Sequence, residues 1–324
     1  MRALLIVNPR ATSTTRLRRD VIASALASAV KLEVEQTRYR GHATALAASA
    51  RSEGYGLVLT LGGDGTVNEV VNGILGQAAL TDNDSSGQPV QDRPPATGLP
   101  AIAPIPGGSA NVFAGALGLP RDPIDATGQI LGALAAHRER TIGLGDADGR
   151  YFTINCGIGL DAEVVRAVQG IRAHGRQATT SLYVRLALRQ FYQQTDRSHP
   201  VIWIDQKDGR TAGPVFLGIV SNTAPWTYLG GREVNATPQA TFDTGLDVFA
   251  LRSMSSFNTL YAITQMLTTK GRDLHGRNMI TLHDQPYVTL RAQRPVAFQI
   301  DGEYVGEKEA ITLRSVPRAL RVIA

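Results

Sequence analysis

The chain has 324 residues, twice the length of a single domain of roughly 150, so two domains are expected. Hydrophobic residues make up 43% and charged residues 19%, which excludes a disordered or fibrous chain and lets each half bury its own core. The net charge of +5, from 33 basic and 28 acidic residues, is mild, and no zinc-finger spacing, basic zipper or aromatic RNA-binding signature accompanies it, so no nucleic-acid partner is expected.

The single cysteine, Cys156, removes disulfide frameworks and Cys-based zinc sites and fits a reducing compartment. No apolar run approaches the roughly 18 residues of a membrane span. The apolar start of the chain ends at Asn8-Pro9, too short for a signal-peptide core, and reads as a first strand. A soluble, cytoplasmic protein is expected.

Ala3 to Val7 is a short apolar run. Ile22, Ala25, Leu26 and Ala29 then repeat at helical spacing, and Leu32 to Thr37 is extended. Ala43, Leu46, Ala47 and Ala50 form a second helical stripe, followed by the buried-strand run Leu57 to Leu61 and a third stripe of Val67, Val70, Val71 and Ile74. Such alternation predicts a mostly parallel sheet with helices on its faces, and ligands at the carboxyl ends of its strands. Gln77 to Leu99, rich in Asp, Ser, Gly, Gln and Pro, reads as a surface insertion. Pro100 to Ile105 resumes as a strand and Asn111 to Leu117 as a short helix. After about Ile142, short extended runs dominate: Tyr151–Cys156, Val201–Asp205, Val215–Val220, Leu246–Leu251, Met279–Leu282, Tyr287–Arg291, Val296–Ile300 and Ala310–Arg314. Helical patterns interrupt them near 160–193 and 256–268. The fold class expected is thus an α/β N-terminal domain over 1–145 and a β-sandwich over 146–324, whose final segment either completes the sandwich or returns to the first domain.

Two loops stand out. Leu61 leads into Gly62-Gly63-Asp64-Gly65-Thr66-Val67-Asn68-Glu69, a strand end, three glycines and a helix start. Glycines let the backbone approach a phosphate, and a helix N-terminus offers free N–H groups and a positive dipole end. Thr66 suits an N-cap or a phosphate donor. Asp64 needs a cation or proton between it and any phosphate. By itself this loop reads first as a turn that uses Gly-Asp-Gly for geometry alone. The arrangement repeats, however, in Pro106-Gly107-Gly108-Ser109-Ala110-Asn111 ahead of Val112-Phe113-Ala114, and a matched pair can clasp one nucleotide. Neither the P-loop nor the dinucleotide fingerprint is present.

Together these two segments resemble the diacylglycerol kinase catalytic-domain family, which includes diacylglycerol, sphingosine, ceramide and soluble bacterial lipid kinases. The resemblance continues in order through Asn8-Pro9, Thr37 with Gly41-His42-Ala43, Gly157-Ile158-Gly159-Leu160-Asp161-Ala162 and Asp301-Gly302-Glu303. It implies magnesium-assisted phosphoryl transfer from ATP to a lipid hydroxyl at a membrane surface, in a cleft between domains. By position, Asn8, Thr37, Gly62, Gly63, Asp64, Gly65, Thr66, Asn68, Gly108, Ser109 and Asn111 would contact ATP. Asp301 would be the general base, Asp64 a catalytic carboxylate, and Glu303 a partner of the base or of Mg2+. Phosphoryl transfer needs these parts on chemical grounds: placed phosphates, a neutralising cation and a carboxylate to take the hydroxyl proton. On spacing alone, Asp301-Gly302 between two extended runs is a hairpin turn.

Two acids common in relatives are absent, at Val112 and Gly143, so their accessory magnesium network is not carried over. Ala240, Asp243 and Gly245 resemble a structural magnesium loop of some bacterial members, or form a plain turn. Asp161 and Glu163 are candidates for the lipid headgroup, with a helix cap as the alternative for Asp161. From Val164 to Thr195 there are five arginines and no acid. Arg185 and Arg189 share a helical face near Leu182, Tyr183 and Leu186, which suits an anionic membrane surface or simply a solvated face. Oligomeric state is left open. The enzymatic rival, NAD kinase, shares the Gly-Gly-Asp-Gly-Thr loop, but its Thr-Gly-Ser-Thr-Ala-Tyr-like segment is not found. A non-catalytic lipid- or nucleotide-binding paralogue is the rival of another class.

Overall fold

The computed structural model describes residues 1–12, 15–76, 98–173, 180–269 and 271–324. All but the last two residues of the expected insertion from Gln77 to Leu99 fall outside them. The chain forms two compact units. One holds Met1–Leu144, Gly149–Tyr151 and Val316–Ala324; the other holds Gly145–Asp148 and Phe152–Ser315. The division near residue 145 is therefore crossed twice, once by a three-residue stretch and once by the C-terminal segment.

The first unit alternates as its hydrophobic pattern dictates: β1 (Arg2–Val7), α1 (Arg16–Ala27), β2 (Lys31–Gln36), α2 (His42–Ser52), β3 (Leu57–Gly62), α3 (Asp64–Leu75), β4 (Ala101–Pro106), α4 (Val112–Ala116) and α5 (Pro123–Ala135). The strands pair in parallel in the order β4-β3-β1-β2. β3 and β4 are buried throughout, as a central strand covered on both faces must be, whereas β2 at the edge is mostly exposed. Thr15 caps α1 through the Arg18 amide, and Asp122 caps α5 ahead of Pro123. Leu5, Leu26, Leu57, Leu59, Ile105 and Ile130 lie in one core. Ile102 pairs in parallel with Val322, which makes the end of the chain an additional strand of this sheet.

β5 (Arg140–Ala147) and β6 (Arg150–Phe152) each have residues in both units, and the second unit further contains β7 (Asn155–Gly159), α6 (Leu160–Ala173), α7 (Thr180–Arg189), β8 (Ile202–Gln206), β9 (Thr211–Val215), β10 (Leu217–Ser221), β11 (Thr227–Leu229), β12 (Arg232–Val234), β13 (Leu246–Leu251), α8 (Ser256–Thr268), β14 (Met279–Gln285) and β15 (Tyr287–Ile300). β16 (Glu303–Val322) begins here and ends in the first unit. The main run is β14-β13-β10-β7-β15-β16. β15 pairs antiparallel with β7 through Phe298–Ile300 and with β8 through Val288–Ala292. One strand thus serves both parts of a sandwich, around Phe152, Ile158, Ile204, Val248, Leu290 and Phe298.

Two expectations need correction. The runs Tyr287–Arg291 and Val296–Ile300 are one strand with a register shift between Arg291 and Val296, where Pro295 has no N–H to give a ladder. The single run Tyr151–Cys156 is instead broken at Thr153-Ile154, between β6 and β7. The cause of that break lies in the site. No helix among the described residues is long and apolar enough to cross a membrane.

Candidate active site

Four strand ends of the first unit share one edge. Val7 is in register with Gln36 and with Leu61, and Gly62 with Pro106, so Asn8, Thr37, Gly63 and Gly107 follow side by side. The strand order changes direction between β1 and β3, and open parallel sheets bind ligands at the carboxyl ends beside such a switch. Asn8 and the Gly62–Thr66 loop flank that point.

The two glycine loops touch. The Gly107 amide donates to the Gly62 carbonyl at 2.7 Å. A Cβ on Gly108 would come within 2.7 Å of the Gly63 Cα, so no side chain fits where the backbones meet. Asn111, in left-handed backbone with φ 52°, shapes the second loop. Its Oδ1 accepts from the Gly108 amide at 2.8 Å and its Nδ2 donates to the Gly108 carbonyl at 2.7 Å. Ser109 is exposed at the tip, its hydroxyl without a protein partner among the described residues. The side chain of Thr37 is likewise uncommitted there.

α3 starts at Asp64 with Gly63 as its cap, so Thr66 is not the N-cap. The glycine turn runs straight into helical backbone, and Thr66 falls in the first turn, where its Oγ1 accepts from Asn8 Nδ2 at 3.1 Å. Asp64 Oδ1 accepts from the Phe113 amide at 3.0 Å. The carboxylate therefore sits on the free N–H groups at the start of α4, which stabilise its charge and join the two loops. Gly65 is exposed, with open space around its Cα.

Asn68, expected beside ATP, is 2% exposed and its carboxamide is committed elsewhere. It donates to the Tyr151 carbonyl at 2.9 Å and accepts from Arg150 at 3.0 Å. Asn72 completes the clamp through both backbone groups of Tyr151. The clamp lies within the first unit, to which Gly149–Tyr151 belong. Glu69 accepts from the Gly41 and Ala43 amides at 3.0 and 3.1 Å, holding the start of α2.

In the second unit, Asp301 and Gly302 form the turn of the β15–β16 hairpin, with φ 46° and 76°. The hairpin reading therefore holds, and the carboxylate has a further task. Oδ2 accepts from the Thr153 amide and hydroxyl, both at 2.7 Å, and Oδ1 from the Ile154 and Asn155 amides at 2.9 and 3.0 Å. Three consecutive amides turned onto one carboxylate cannot pair in a sheet, which is why the β6–β7 run breaks. Glu303 begins β16 across the turn, paired with Ile300.

Asp161 does not cap α6 but lies inside its first turn. Its Oδ2 accepts from Gln299 Nε2 at 2.8 Å, and the same amide nitrogen reaches Asn155 Oδ1 at 2.9 Å. A Cβ on Gly157 would collide with that carboxylate at 1.7 Å, so Gly157 makes the room for it. The residue keeps some exposure, but its carboxyl is desolvated and faces no cation among the described residues. Burial pushes its pKa from 3.8 up to about 6, with the Gln299 hydrogen bond pulling the other way. Because the folded state holds this proton more tightly than the unfolded chain, ionisation opposes folding. Stability falls as pH rises from 3.8 to about 6 and stays lowered above that. Asp161→Asn is expected to gain about 2–3 kcal/mol in unfolding free energy near pH 8 and nothing at about pH 3.5, read from urea midpoints. A buried acid kept at such a cost suits function better than stability. Glu163, also raised by burial, pairs with Arg166 at 2.6 Å, and Arg166 reaches Glu307 at 3.3 Å.

The Ala240–Gly245 loop is held by hydrogen bonds within itself and to Asp284 and Ala224. The Asp243 amide donates to Thr241 Oγ1, the Gly245 amide to Asp284 Oδ1, and the Ala240 carbonyl accepts from Ala224. Among the described residues no group of three His, Cys, Asp or Glu side chains is placed to hold a metal ion. The buried acid here is Asp247, whose two oxygens meet His283 Nδ1 at 2.8 and 2.9 Å.

Residues 2–145 match the diacylglycerol kinase catalytic domain, and residues 155–324 match the YegS C-terminal NAD kinase beta sandwich-like domain. The chain belongs to the diacylglycerol kinase-like lipid kinase family. It is 26% identical to a "Probable lipid kinase YegS-like" protein of Stenotrophomonas maltophilia, covering 98% of this chain and 94% of that one. It is also 26% identical to the diacylglycerol kinase of Bacillus subtilis, covering 94% and 90%. A diacylglycerol kinase crystal structure from Bacillus anthracis shares the fold, with a TM-score of 0.70, 20% identity and coverage of 99% and 96%.

Proposed function

We propose that this protein transfers the γ-phosphoryl group of ATP to the free hydroxyl of diacylglycerol, yielding phosphatidic acid and ADP, as a cytoplasmic protein acting at the membrane surface. The observation that carries the reading is the contact of Gly63 with Gly108, which brings two side-chain-free backbones and the start of α3 together at the sheet's switch point. Exposed Ser109 and Gly65 and half-buried Thr37 leave hydroxyls and amides for phosphate oxygens, while Asn8 holds Thr66, and Asn111 shapes the loop. Magnesium is held in such sites by one or two carboxylates together with substrate phosphates, and Asp64 is the carboxylate at these loops that fits that role. When bound there, the cation would neutralise charge on the transferred group.

In the second unit, Asp301 is the residue to receive the hydroxyl proton as the new oxygen–phosphorus bond forms and the bond to the ADP oxygen breaks. Four donors fill its lone-pair directions, so one has to withdraw first. The Thr153 hydroxyl is the donor that can leave by rotating about a single bond, and Glu303 lies across the turn to support the base. Asp161 and Glu163 offer acceptors for polar groups of the lipid.

The test is phosphate transfer from labelled ATP, with and without magnesium, to diacylglycerol, monoacylglycerol, sphingosine, ceramide and phosphatidylglycerol in mixed micelles, with NAD as a control. Labelled phosphatidic acid that disappears in Asp64→Ala is the expected result. Labelled NAD alone, or no labelled lipid at all, would overturn the reading.

A further inference from the structure

α8 is built inside out. Its inner face carries Ala262, Met266 and a buried glutamine, Gln265, whose amide makes two hydrogen bonds to the backbone of His275. Its outer face is apolar: Phe257 is 78% exposed and Leu260 64%, with Tyr261 and Ile263 beside them. These positions fall three and four apart and form a continuous strip on one side of the helix. Large apolar side chains grouped on an exposed helix face mark a docking site rather than ordinary surface scatter.

The neighbouring helix carries the same texture. Val184, Leu188 and Tyr192 are exposed at four-residue spacing along α7 and the π-helical turn Gln190–Gln194 that extends it. Tyr192 reaches Ser256, next to Phe257, at 3.4 Å, so the two strips meet within one unit. Charge selects the partner. Arg185 and Arg189 flank the α7 strip, both exposed and without a carboxylate partner among the described residues. Arg197 lies over the Phe191 and Tyr192 rings at 5.0 and 5.3 Å. Neither the segment 180–195 nor the segment 252–272 contains an aspartate or glutamate. The acid at their junction, Asp196, is paired with His199.

We propose that the outer face of α8 and the exposed side of α7 form a docking surface for an anionic lipid bilayer, with Phe257 and Leu260 entering the acyl boundary and Arg185 and Arg189 meeting phosphate headgroups. Apolar burial supplies the affinity and the arginines the preference for negative lipid. The choice of a bilayer rests on the lipid-acceptor reading, since an acceptor held in a membrane has to be met there.

Sedimentation with phosphatidylcholine vesicles, with and without phosphatidylglycerol, tests it. The full chain is expected to pellet with the anionic vesicles and to be released by salt. F257D/L260D is expected to weaken binding about tenfold or more, and R185E/R189E to abolish the difference between the two compositions. Both variants alter exposed side chains and are expected to keep the far-ultraviolet spectrum and the turnover of a dispersed short-chain diacylglycerol. Unchanged vesicle binding in both variants would overturn the proposal. So would a wild-type dimer that F257D/L260D turns into monomer while neither binds vesicles, because a second copy would then cover the face. Vesicle binding lost in the variants with no lipid phosphorylated by any form would leave the docking surface standing and remove the kinase reading instead.

Discussion

Asp301→Ala is expected to stop phosphoryl transfer and to lower the unfolding free energy by about 3 kcal/mol, because it leaves the Thr153, Ile154 and Asn155 amides and the Thr153 hydroxyl without their acceptor. Thr153 is fully buried and Ile154 and Asn155 nearly so, which limits how far water can replace the carboxylate. The two losses are separable. Thr153→Ala removes one of the four donors but keeps the carboxylate, and is expected to cost about 1 kcal/mol. If Asp301 accepts the proton, Thr153→Ala retains at least about a tenth of the turnover while Asp301→Ala retains none measurable. If Asp301 acts only as a clasp for the β6–β7 break, both variants lose activity in step with stability. Turnover and urea midpoints measured on the same preparations decide between them.

Gly108→Ala has the second large effect. Its new methyl would lie 2.7 Å from the Gly63 Cα and 3.1 Å from Asn111 Oδ1, and a backbone atom cannot swing aside as a side chain does. The loops are expected to part, breaking the Gly107–Gly62 hydrogen bond and weakening ATP binding by about a hundredfold, with about 1–3 kcal/mol lost in stability. Gly128→Ala on α5 is the control, since a methyl there meets nothing within 4 Å and replaces glycine inside a helix. It is expected to gain about 0.5–1 kcal/mol and leave ATP affinity unchanged. Nucleotide titration of both variants is the measurement, and wild-type affinity in Gly108→Ala would remove the loop contact from the site.

Both predictions depend on contacts whose ingredients were visible in the sequence and whose pairing was not. Strand–helix alternation over the first unit was legible because hydrophobic period is a local property: Val67, Val70, Val71 and Ile74 are three and four apart and all are buried. The glycine loops were legible for the same reason, as was family membership, since both rest on short runs of adjacent residues. The strand-rich second unit could be recognised, but β15 was split in two because Pro295 interrupts the local pattern while the ladder resumes beyond it.

What packing alone decided is how distant residues use one another's polar groups. The Asp64 carboxylate finds an amide 49 positions away, Asn68 a carbonyl 83 away, and Asp301 a bend 148 away. No spacing rule encodes such distances, because a polar side chain takes whichever unpaired backbone group the fold brings to it. That is why the N-cap reading of Thr66 gives way to Gly63 while its reading as a phosphate donor stands, why the resemblance places Asn68 at ATP although its carboxamide clamps Tyr151, and why no local pattern marks Thr153 or Gln299. Sequence determined the strands, the helices and the loops between them through properties of neighbouring residues. Tertiary structure decided which carboxylates are held by backbone amides and which, like Asp161, are left desolvated with no cation facing them among the described residues, because burial and hydrogen bonding are set by residues far apart in the chain.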